Sequence, residues 1–239
     1  MVPRDPLTAI ETEMYYCGSV GRSDAATHVF RILGEMGCEF YDCVPGQMLE
    51  NVADAIDEEG DIQVGTGIIH DDLSIESVSS FNRGTADIDF DSQCKGFNLS
   101  QSAGLSPEGE EGFQSTRQTD LLAIKQEEFA EKAFVKLRPI YGWTDEPGEN
   151  APGTKKIRSL NLTVLFWANY FGLEYVSAIG RDFLMSTPAW KVKEIEGCGI
   201  VVVCNESYTE WWSISNKPVI EYFKAKYPEI KGYRSKGVR

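Results

Sequence analysis

The chain of 239 residues contains only two histidines, His28 and His70, and this scarcity narrows the chemistry open to it. Its six cysteines, Cys17, Cys38, Cys43, Cys94, Cys198 and Cys204, form no C-x-x-C pair. With so few imidazoles and no paired thiolate spacing, a zinc site is not expected. There is no G-x-S-x-G nucleophile elbow, no P-loop lysine and no dinucleotide fingerprint. No motif therefore fixes a reaction, and neither a metal nor another cofactor is expected. Long apolar runs are missing too. The most apolar stretch, 160–173, is interrupted by Asn161, Thr163 and Asn169 and is too short to span a bilayer. Residues 1–6, with two prolines and two charges, lack the apolar centre of a signal peptide. The reading is a cytoplasmic protein with reduced core thiols, because its cysteines are scattered through apolar segments of a large chain.

Basic residues are the next shortage, and an uneven one. The whole chain carries 37 acidic and 23 basic groups, a net charge of −14. Residues 1–120 hold 23 acidic and six basic groups, a net −17, whereas residues 121–239 are slightly basic. Such acidity excludes nucleic acid and anionic membranes as main partners, since both require a net basic surface. Segregated charge points instead to electrostatically steered association with a basic protein partner. Apolar residues make up 42% of the chain, enough for a globular core in one large domain or two small lobes.

Hydrophobic periodicity divides the chain into alternating elements. Residues 14–20 read as a strand. Ser23 caps a helix in which Ala25, Ala26, Val29, Ile32, Leu33 and Met36 share one face, ended by Gly37. Residues 38–44 read as a short strand, Pro45 opens a helix closed by Gly60, and 61–69 is a strand. Asn82-Arg83-Gly84 is expected to turn a hairpin between 73–81 and 85–90. Residues 93–118, rich in Gly, Ser and Gln, read as a loop or linker. A helix over 120–137 with Thr119 as its cap follows, then a strand over 138–143 and a loop over 145–153. Periodicity leaves 160–171 open between a strand and a buried helix. A helix over 172–185, a hairpin of 190–195 with 200–204, and a last helix opened by Asn216 and Pro218 follow in order. The expected fold is α+β, with a largely antiparallel sheet and helices packed on one face. It divides into an acidic lobe at 1–92, a linker at 93–118 and a second lobe at 119–239, an arrangement that allows two similar lobes.

Asp87, Asp89 and Asp91 alternate with Ile88 and Phe90, so on a strand the three carboxylates line one face. Like charges so close repel unless solvent, a cation or a basic partner lies over them. The plainest reading is a solvated face; a partner's docking surface and a Mg²⁺ or Ca²⁺ site are the others. His70, followed by Asp71 and Asp72, lies at the end of an apolar strand and could extend such a surface. A lesser reading makes it a general base oriented by Asp71 or Asp72. Trp143, Trp211 and Trp212 fall at element ends or in loops, where aromatic residues either anchor interfaces or pack beneath a loop.

Five short stretches form a series: Tyr-Gly-Trp-Thr-Asp at 141–145, Phe-Trp-Ala-Asn-Tyr-Phe-Gly at 166–172, Glu-Tyr-Val at 174–176, Ile-Gly-Arg at 179–181, and Gly-Cys-Gly at 197–199. Over 141–212 the chain resembles uncharacterised microbial proteins similar to immunity proteins of polymorphic toxin systems. The resemblance rests on aromatic and structural residues, and it implies a binding protein rather than a reaction. Together with the acidic first half it leads to a non-enzymatic module covering a basic toxin domain. His70, Asp71, Asp72, Asp87, Asp89, Asp91, Trp143, Trp211 and Trp212 are the expected partner-binding residues. The alternatives are a hydrolase-like enzyme using His70 and the aspartates, metal-dependent or not, and a structural subunit of an assembly.

Overall fold

Strand after strand in this chain alternates apolar with polar residues, and those strands assemble side by side. The computed structural model describes residues 10–15, 22–36, 39–40, 62–70, 73–83, 97–105, 116–145, 152, 154–211 and 217–232. The described elements run β1 (Ile10–Tyr15), α1 (Arg22–Glu35), β2 (Glu39–Phe40), β3 (Ile62–His70), β4 (Leu73–Arg83), β5 (Phe97–Leu105), α2 (Thr116–Leu137) and β6 (Tyr141–Asp145). They continue with α3 (Thr154–Arg158), β7 (Val164–Leu165), β8 (Ala168–Gly172), α4 (Leu173–Ile179), α5 (Arg181–Met185), β9 (Lys191–Ile195), β10 (Gly199–Val203), α6 (Lys217–Lys224) and β11 (Lys231–Gly232). Nine strands form one antiparallel sheet in the order β2-β3-β4-β5-β1-β6-β8-β10-β9, and β7 pairs with β11 in a small parallel ribbon. The fold is α+β.

Residue composition explains each strand's place. β10 reads Gly-Ile-Val-Val-Val and is buried throughout, as a strand covered on both faces must be. β9 reads Lys-Val-Lys-Glu-Ile and closes the sheet, its charges unsuited to pairing with a further strand. On one face lie Ile10, Thr12 and Met14 of β1, all buried, under α2. The α2 residues Leu122, Phe129, Ala133 and Phe134 are buried in the core, and Val29, Ile32 and Leu33 of α1 join the same cluster. On the opposite face, Phe171 of β8 lies against Tyr175 of α4 and Phe223 of α6, with ring centroids 6.1 and 6.3 Å away. Helices therefore lie on both faces over the C-terminal strands, rather than on one.

Several sequence expectations are corrected. Phe97–Leu105, inside the expected linker, is a strand hydrogen-bonded between β4 and β1. The sheet also crosses the expected lobe boundary, because β1 pairs with β6. β4 runs through Asn82 and Arg83, so no turn starts there; β4 instead pairs with β3, His70 opposite Leu73. Residues 160–171, which periodicity leaves open, supply the strands β7 and β8. The helix over 172–185 is two helices, broken at Gly180, whose φ of 99° is open to glycine and strained for other residues. α2 begins at Thr116, which puts Thr119 inside the helix. The expected helix at 45–60 and strand at 85–90 lie outside the described residues.

Candidate functional site

Three polar assemblies stand out against the apolar core. The first is centred on Asp145, the last residue of β6, which is wholly buried. Its Oδ2 accepts hydrogen bonds from the Trp167 backbone N–H at 2.7 Å and the Trp211 indole N–H at 3.1 Å. Its Oδ1 accepts from the Tyr208 hydroxyl at 3.1 Å. One carboxylate thus ties the end of β6 to the bend before β8 and to the turn after β10. Beside it Asn169 repeats the device: its Oδ1 accepts from the Phe166 N–H at 3.1 Å and the Tyr141 hydroxyl at 3.0 Å, and its Nδ2 donates to the Phe166 carbonyl at 2.8 Å. Trp143 stacks on Phe166 with centroids 4.3 Å apart. These residues come from 141–145 and 166–172, and their work in this fold is to hold strand ends together.

The second assembly begins under α2. Gln126 Nε2 donates to Thr12 Oγ1 at 3.1 Å, the Thr12 and Thr144 hydroxyls are 2.8 Å apart, and Thr144 lies 3.2 Å from the Tyr170 hydroxyl. One helical step from Gln126, Glu127 accepts from Lys191 Nζ at 2.9 Å. Glu131 accepts from Lys191 at 2.7 Å and from Lys193. Burial dominates at Glu127 and leaves its pKa above the ordinary carboxylate value. Burial pushes Glu131 up as well, but the hydrogen bonds from Lys191 and Lys193 outweigh it, and Glu131 sits below that value. Burial pulls the Lys191 ammonium down, yet its bonds to Glu131 and Glu127 carry it above the usual lysine range. This network fastens the edge strand β9 to α2. The i,i+4 glutamates and the Lys-x-Lys strand are its sequence signal, which the reading of isolated motifs passed over.

The third assembly is a sheet face, defined by register. Residues directly opposite across strands share a face. Glu11 pairs with Ser102, and Glu13 with Ser100. Ser102 in turn pairs with Val78, Ser100 with Ser80, and Gly104 with Glu76. Glu76 pairs with Gly67, which pairs with Glu39. Positions Glu11, Glu13, Glu39 and Glu76 therefore fall on one face of β1, β2 and β4, interspersed with serine and glycine positions. No lysine or arginine position of these strands or of β3 and β5 falls there; Arg83, opposite Phe97, falls on the other face. α2 lies on that other face, with Gln126 on Thr12. The signal was the Glu-Thr-Glu alternation of β1 set against Ile10, Thr12 and Met14.

The expected site residues are not gathered together. Trp143 and Trp211 are fully buried, which corrects their reading as surface anchors; they pack the core through Phe166 and Asp145. His70 ends β3, on the face opposite the four glutamate positions. Asp71, Asp72, Asp87, Asp89, Asp91 and Trp212 lie outside the described residues. Cys204 is a free thiol in the core, and burial pushes it well above its usual pKa, the opposite of what an activated nucleophile needs. Buried Tyr141 and Tyr170 are likewise pushed up, chiefly by desolvation, and stay protonated. Among the described residues no group of three or more His, Cys, Asp and Glu side chains could hold a metal ion, and no helix is long and apolar enough to cross a membrane. Comparison with protein-family models, with curated proteins and with solved structures finds no match for the chain.

Proposed function

We propose that this chain is a non-enzymatic protein-binding module, an antidote of the immunity type that covers and neutralises a basic toxin domain in the cytoplasm. The observation that carries the reading is charge segregation. The segment with 23 acidic and six basic groups supplies β1 to β5, and the slightly basic remainder supplies β6 to β10. The strands of the two parts meet in one sheet, where β1 pairs with β6. A toxin acting on nucleic acid carries a basic surface to hold a polyanion, and an acidic inhibitor presents a competing field that also speeds encounter. Buried polar side chains of the C-terminal half support the same reading: Asp145 and Asn169 spend their hydrogen bonds on backbone and neighbouring side chains of the fold.

Co-production tests it. The protein encoded immediately upstream of this chain's gene, the position an antidote's target would hold, should arrest growth when induced alone. Growth should be restored when this chain is induced with it, and the two should co-purify. Growth arrest that this chain fails to relieve, with no complex formed, would overturn the reading.

A further inference from the structure

We draw no further inference here: the strongest candidate, the surface patch along the β9 edge of the sheet, where Trp190 stands exposed just before the strand and Ile124 and Val135 stand exposed on the helix α2 that Lys191 ties to it, carries none, because nothing in the structure shows what covers it.

Discussion

At the scale of single residues, Asp145 is a wholly buried carboxylate that holds the end of β6 to two later turns. Three donors converge on its two oxygens, and each would be left facing the core without it. Asp145→Ala is expected to cost on the order of 3 kcal/mol or more, since every buried donor left unsatisfied is expensive. Asp145→Asn should cost about 1–2 kcal/mol less than that. Its amide oxygen can still accept from Trp167 and Trp211, while its NH₂ turns to the Tyr208 oxygen, which can accept. Urea unfolding should show this as two shifted midpoints with an unchanged slope; equal losses in both variants would mean that the negative charge itself is what the site requires. Nothing in the local sequence distinguishes Asp145 from the other acids. Its partners come from positions 167, 208 and 211, and only the pairing of β6 with β8 brings them within reach. The tryptophans were misread for the same cause: an element-end position says where a ring lies along the chain, not that the next layer of the fold closes over it.

At the scale of elements, helices were the most legible parts. The 3.6-residue spacing of Val29, Ile32 and Leu33, and of Leu122, Phe129, Ala133 and Leu137, reports burial against a single surface. Strand β5 was not legible. Asn98, Ser100 and Ser102 resemble loop residues by composition, and they alternate with Leu99, Gln101 and Ala103 only once a face is recognised. The tie between α2 and β9 was equally hidden, because its halves are some sixty residues apart. It should show a distinctive pH dependence. Glu131 is held low, so its stabilisation is present above the unfolded carboxylate pKa of about 4.3 and is lost as pH falls through its lower folded value. Lys191 is held high, so its stabilisation is complete below about 10.4 and is lost as pH rises through its folded value. Glu127, held high by burial, works the other way: its ionisation costs stability as pH rises through its folded value, and Lys191 offsets part of that cost. Lys191→Met should therefore destabilise by about 2 kcal/mol at neutral pH. The gap to the parent should narrow both below pH ~4 and above pH ~10.4, measured by urea unfolding across a pH series. A gap independent of pH would assign the loss to packing of the lysine stem.

At the scale of the whole molecule, the sheet rather than the charge boundary defines the unit. Composition alone sets residues 93–118 apart as a linker, yet Phe97–Leu105 exchanges backbone hydrogen bonds on both of its edges. Limited proteolysis with mass spectrometry should therefore leave 97–105 intact in the earliest fragments, and its amides should exchange slowly with solvent. First cuts inside this stretch would show that β5 opens apart from the rest. The position of β1 has a consequence for the protein's birth. It is made before the other described strands of the sheet, and the strands that occupy its two edges begin at Phe97 and Tyr141. At translation rates of roughly 5–20 residues per second, β1 waits on the order of ten seconds for its second neighbour. Until Phe97–Leu105 has been made, Ile10, Met14 and Tyr15 belong to a strand with no sheet to enter, and until Tyr141–Asp145 follows, one edge of that strand stays open to pairing with another chain.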